Sequence, residues 1–171
     1  MNISHNKQKG VALIIALILL TVSTLIGITA VSSTILEEKM AGNILNKNIA
    51  FQAAEAMLRE AEAFTETNVG DATLFNSTNG FYPRTEPGDA NFPIWDTIAE
   101  SAWRGGTLVS GATDAPKFIV EDFADATLEG CIVPPGEPID ICQITIYRIT
   151  AKGTGLNTNS ETILQSMYGK N

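Results

Sequence analysis

Residues 11–36, VALIIALILLTVSTLIGITAVSSTIL, run for 26 positions without a charged side chain. As an α-helix rising about 1.5 Å per residue, the run spans about 39 Å. That exceeds the roughly 30 Å hydrocarbon core of a bilayer. One Lys or Asp at mid-membrane would oppose insertion by about 3 kcal/mol, so an uncharged run of this length identifies a segment fit to cross. A buried helix of a soluble domain is usually shorter and keeps a polar face. A cleaved secretory signal has a shorter apolar stretch closed by a small-x-small site. This stretch fits neither pattern and continues into helix-forming sequence.

The charges around it are sorted by side. Of 11 basic residues only Lys7 and Lys9 precede the run, with no acid, whereas all 19 acids and the other nine bases follow it. The positive-inside rule therefore leaves the leader in the cytoplasm and sends the acidic remainder across the membrane, where a disulfide persists. An acidic body has no electrostatic reason to bind nucleic acid, whose phosphates require Lys and Arg. The one histidine is His5, so a chain that loses its leader has no Ser-His-Asp triad, no Cys-His pair and no imidazole metal site. We expect no catalytic residues, no cofactor and no metal, and hence no enzyme.

Past residue 36 the pattern becomes amphipathic. No proline occurs before Pro83, and helix stop signals are absent until Asn68 and Gly70. Helix is therefore expected from Val11 to at least Phe64, with Gly42 a candidate bend. Ile44, Phe51, Ala54, Leu58 and Ala61 follow helical spacing and mark one packing stripe. Glu55 and Arg59 form an i,i+4 pair on a solvated face. Gly27 is either a site of close helix contact in lipid or a tolerated cost of about 1 kcal/mol.

The remaining chain, residues 65–171, suffices for one modest core. All seven prolines fall between Pro83 and Pro138, which predicts loops there. Strands are expected over residues 117–123, 143–151 and 162–168, the last two joined as a hairpin through KGTGLNTNSE. Gly153 and Gly155 resemble a dinucleotide loop only superficially, since the third glycine and the following helix are missing. Tyr82, Trp95 and Trp103 read as aromatics pinning a long loop, with a binding surface the alternative. Cys131 and Cys142 flank a proline-rich 12-residue loop, whose closure by a disulfide would stabilise by about 3 kcal/mol; free thiols are the alternative. Glu121, Asp122, Asp125 and Glu129 lack EF-hand spacing and read as solvated carboxylates.

Several motifs then agree in order. A Lys-containing leader ending in Gly10, an apolar segment beginning VALIIALILL, then LEEKMAGN and AFQAAEAMLREAE, resemble the N-terminal region of the PilX-type minor pilins of type IV pili. The ending YRITAKGTG and ILQSMY is similar to that family's last strands. The resemblance implies a prepilin: leader 1–10, transmembrane and filament-core helix 11–36, amphipathic helix 37–64 and globular head 65–171. The fold class is α+β, a long helix packed on a small antiparallel sheet domain with one disulfide. It implies cleavage by the prepilin peptidase between Gly10 and Val11, and N-methylation of Val11. Most pilins carry a glutamate at the fifth mature position, where it meets the N-terminal amine of a neighbouring subunit; here that position is Ile15. A subunit without the acid suits the pilus tip, where no earlier subunit waits. The implied role is pilus initiation with other minor pilins and the major pilin, and support of a tip adhesin. The implied location is the inner membrane, then the pilus surface. Competing expectations are a GspK-like pseudopilin of type II secretion and a membrane-anchored envelope protein that never enters a filament.

Overall fold

The computed structural model describes residues 10–69, 72–136 and 142–170. The leader residues His5, Lys7 and Lys9, the expected helix stop Gly70, and Pro138 lie outside the described residues. The first helix, α1, runs Val11–Asn68, 58 residues without a break at Gly42. Its sequence explains the continuity: no proline interrupts it, and Ala, Leu and Ile keep propensity high across both glycines. It ends where side chains compete for the last carbonyls. Thr67 Oγ1 and Asn68 Nδ2 donate to Phe64 O at 2.9 and 2.7 Å, and Thr65 Oγ1 to Ala61 O at 2.6 Å.

The chain divides into two compact units, Met1–Ile44 and Leu45–Asn171. In the second, a sheet of five strands packs one face on the α1 residues beyond Leu45. Its members are β1 (Phe81–Tyr82), β2 (Arg104–Gly105), β3 (Lys117–Thr127), β4 (Gln143–Thr154) and β5 (Glu161–Lys170). A four-residue helix, α2 (Ile94–Thr97), lies in the proline-rich stretch. The order is β1-β3-β4-β5, with β2 also on β3. β3, β4 and β5 form an antiparallel meander, as the sequence implies, but β1 joins β3 in parallel, so the sheet is mixed.

The three expected strands are all present and all longer. β3 carries an irregularity between Asp122 and Ala124, at the position where the expected strand stops. Beyond it the ladder continues through Ala124–Ala126, whose small side chains give no strand signal. The hairpin between β4 and β5 is tighter than the ten-residue connection expected, because pairing continues to Thr154 opposite Glu161.

The core lies between α1 and the sheet. Met57, Ala61, Phe81, Phe118, Val120, Tyr147, Ile149 and Ala151 are buried together. Phe64, Phe75, Phe81, Phe118 and Tyr147 form a ring cluster with centroids 5.4–5.9 Å apart. The opposite face carries a smaller cluster of Tyr82, Ile94, Trp103 and Ile119, with Trp95 packed against it. The three aromatics of the loop stretch thus pin that stretch to the sheet.

The helical stripe falls partly where its spacing suggests. Ala54 and Ala61 are buried and Leu58 is half-buried, but Ile44 and Phe51 are exposed. The buried face comprises Ala50, Ala53, Ala54, Met57, Ala61 and Thr65, so Ala54 and Ala61 of the stripe belong to it and Ile44 and Phe51 do not. The cause is close approach. A Cβ added to Gly153 of β4 would stand 2.7 Å from Ala50 O and 2.8 Å from Ala53 Cβ, and would collide with Ala54 N. Helix backbone lies on strand backbone there, leaving space only for alanines. Gly155 meets Asn46 in the same way, and Asn46 Oδ1 accepts the Leu156 amide at 2.7 Å.

Candidate functional site: the apolar helix and the head surface

Among the described residues of the N-terminal unit, what stands out is an exposed apolar surface. Gly10 is exposed and immediately precedes the first helical residue, Val11, with Gly10 O accepting the Ile14 amide at 3.4 Å. Ile15 is about half-exposed, and Leu13, Leu17, Leu20, Leu25 and Ile28 are more so. By length and composition the helix qualifies to cross a membrane. Five of the seven hydroxyls within its apolar stretch are satisfied by the helix itself. Thr21, Thr24, Thr29, Ser32 and Thr34 all donate to carbonyls three or four residues back, at 2.8–3.2 Å. At those five positions an apolar surround meets methyl groups and closed hydroxyls rather than open donors. Nothing stands within 4 Å of where a Gly27 Cβ would be, and Thr24, Gly27, Ile28, Val31 and Ser32 line a shallow recess. The same surface can face lipid tails or another apolar helix, since neither exposes it to water.

In the head, Glu100, Glu121, Asp122 and Asp125 are each bound by a base. Glu121, expected to be solvated, is buried and takes a two-pronged bond from Arg148: Nε to Oε2 at 2.8 Å, Nη2 to Oε1 at 2.7 Å. The reason is register, since Glu121 stands directly across from Arg148 on β4. The Phe123 ring, at the β3 irregularity, lies 4.9 Å from the guanidinium carbon. Sequence spacing within β3 shows the acids but not the cross-strand base, 27 residues away. Asp122 and Asp125, by contrast, share exposed Arg84 at 3.1 and 3.0 Å, and these bonds raise the Arg84 pKa.

Glu100 receives Lys117 at 2.8 Å and also Lys152, whose ammonium lies 4.2 Å from the Trp103 ring centroid. Burial alone would raise the Glu100 carboxyl, but the two lysine hydrogen bonds and charges outweigh it and hold it below the ordinary carboxylate value. Burial pushes the Tyr82 and Tyr147 phenols up; their hydroxyls donate to Ala102 O and Val69 O, both at 3.2 Å. Cys131 and Cys142 are joined as a disulfide with Cα atoms 5.7 Å apart. Among the described residues no group of acids, cysteines and histidines is arranged to hold a metal ion.

Two family models together cover nearly the whole chain: PilX N-terminal over residues 9–59, and type IV pilus assembly protein PilX, C-terminal part, over residues 61–170. The chain belongs to the PilX family. No curated protein and no solved structure matches it. It is thus a minor pilin of the type IV pilus, in a structural, non-enzymatic family whose members assemble with other pilins. For a PilX minor pilin the features above have ready roles. The N-terminal helix fits a single-pass anchor, and the disulfide and the Glu121–Arg148 pair brace the head.

Proposed function

We propose that this PilX-family subunit is made as a prepilin, cut by the prepilin peptidase between Gly10 and Val11 and N-methylated at Val11, and that it then initiates the pilus at its tip. The leader is cytoplasmic and the head periplasmic while the subunit waits in the inner membrane; other minor pilins and the major pilin follow it into the filament, and it supports a tip adhesin. The observation that carries this reading is Ile15, the fifth residue counted from Val11, within a run that holds no acid at all. A preceding subunit's N-terminal ammonium, brought into an apolar helix bundle, would find no carboxylate here. Leaving such a charge buried and unpaired costs several kcal/mol. Only the first subunit escapes that cost, because nothing precedes it.

Exchange between lipid and filament is favoured because most hydroxyls of the apolar stretch, Thr21, Thr24, Thr29, Ser32 and Thr34, are closed on the helix's own carbonyls. Its apolar surface is removed from water equally by acyl chains or by sister helices.

Deletion of the gene tests initiation: surface pili should fall sharply in number, and normal piliation with normal motility would refute the proposal. Ile15→Glu tests the tip assignment separately. Labelled subunits of that variant should appear along the shaft, and labels confined to the tip would show that the missing acid does not set position.

A further inference from the structure

On the sheet face opposite α1, a charged pocket runs into the apolar edge of strand β5. The pocket is a cavity of about 210 Å³ lined by Glu100, Asp114, Lys117, Lys152, Thr154 and Glu161. Glu100 takes both lysines, and among the described residues no base pairs with Asp114 or Glu161. Three carboxylates against two ammoniums leave one negative charge in excess. Beyond Glu161 the strand turns Ser166 toward Glu62 of α1 at 2.7 Å, so Ile163, Gln165 and Met167 face the other way. Ile163 is 39% and Met167 56% exposed, and Gln165 between them donates to Thr150 Oγ1 at 3.0 Å.

The same strand is an open edge. In the order β1-β3-β4-β5 no strand lies beyond it among the described residues, and residues 162–169, TILQSMYG, hold none of the charges or prolines that blunt such edges. The Gly155 amide donates to Ser160 O at 2.8 Å, so by antiparallel alternation the amides and carbonyls of Ile163, Gln165, Met167 and Gly169 point away from β4. Glu161 O is already held by Lys47 Nζ at 3.4 Å, so the open row begins at Ile163.

Direction and charge decide what fits. Lys47, Glu62 and Glu66 of α1 meet Glu161, Ser166 and Lys170 of β5 in that order, so helix and strand run parallel. Two copies joined antiparallel through β5 would point their helices in opposite directions, against their sharing one membrane or filament. Joined in parallel, they would set Glu161 beside Glu161. Neither arrangement suits a second copy.

We infer that β5 and the pocket together receive an extended segment of a different protein, added as a further strand. A Lys or Arg of that segment enters the pocket against Asp114 and Glu161, and apolar side chains two and six residues along lie beside Ile163 and Met167. Main-chain bonds to Ile163, Gln165, Met167 and Gly169 hold the segment, and its alternate side chains select it. The surface belongs to the head alone and is independent of where the subunit stands in the pilus.

The test places a photo-crosslinking amino acid at Met167, and separately at Leu108, which is 60% exposed, in piliated cells. Met167 should capture one segment of one other protein, with a basic residue about six positions from the attachment point, and Leu108 should not capture it. A synthetic peptide of that segment should bind the full chain in detergent micelles. Glu161→Lys should weaken it about 10-fold, since an attraction becomes a repulsion, and exchanging the peptide's basic residue for glutamate should restore binding to that variant. Methylating the peptide's backbone nitrogens that face β5 should abolish binding, whereas methylating the alternate ones should not. Capture of no protein, or of a second copy of this chain, would overturn the proposal. So would binding indifferent to the backbone methyl groups or to Glu161→Lys.

Discussion

Gly153→Ala is the sharpest perturbation of the head. The added methyl would stand 2.7 Å from Ala50 O and 2.8 Å from Ala53 Cβ and would collide with Ala54 N. None of these is the end of a flexible side chain, so relief requires α1 and β4 to separate by several tenths of an ångström along a contact that also includes Gly155 on Asn46. Overpacking a core costs about 1–3 kcal/mol where side chains can yield. With backbone on both sides the upper end, about 3 kcal/mol, is the expected loss, equivalent to about 10 °C in Tm for a domain of this size. Gly105→Ala is the control, because nothing stands within 4 Å of that Cβ, and its effect should stay within about 0.5 kcal/mol. Near-ultraviolet circular dichroism of the full chain in detergent, followed through a urea titration, measures both. Equal midpoints for the two variants would refute the close backbone contact and the alanine-lined face derived from it.

Three further outcomes follow from the head's electrostatics and its cross-link. Arg148→Met leaves the Glu121 carboxylate buried without its partner and should cost about 3–5 kcal/mol; adding Glu121→Leu should recover most of that in the same titration, and additive losses would contradict the pairing. Reduction of Cys131–Cys142 should lower stability by about 3 kcal/mol through loop entropy, read as the shift in urea midpoint with and without reductant; no shift would show that the loop is already constrained. Glu100 is held below its ordinary value by Lys117 and Lys152, so its contribution is present above the usual carboxylate range and is lost as pH falls through the folded value. Glu100→Gln should therefore flatten the acid limb of the stability profile, modestly because the side chain is 64% exposed, and an unchanged limb would contradict the assignment.

The sequence reveals the parts whose cause is local. Residues 11–36 announce a membrane helix by lacking charge, α1 continues because nothing in its sequence stops it, and β3, β4 and β5 are readable from Ile, Val, Tyr and Phe between turns. What it hides depends on chain segments far apart. Helical spacing puts the buried face on Ile44, Phe51, Ala54, Leu58 and Ala61; Ala54 and Ala61 are buried, but Ile44 and Phe51 are not, because Gly153 and Gly155, about a hundred residues later, bring a strand backbone against a face lined mainly by alanines. Those glycines were the available signal, and they read locally as loop residues. Glu121 looked solvated beside three other acids; Arg148 reaches it only through the β3–β4 register. The parallel pairing of β1, two residues long, is too short to register as a strand. The proposed processing junction at Gly10 and Val11 and the proposed role of Ile15 follow from the family resemblance and from counting positions, and they depend on no packing.

The most direct test of the account is intact-mass and N-terminal analysis of this subunit from sheared, purified pili. An N-methylated Val11 as the first residue is the predicted result. A subunit retaining Met1, found in the inner membrane and missing from the sheared pili, would contradict it and leave a membrane-anchored envelope protein in its place.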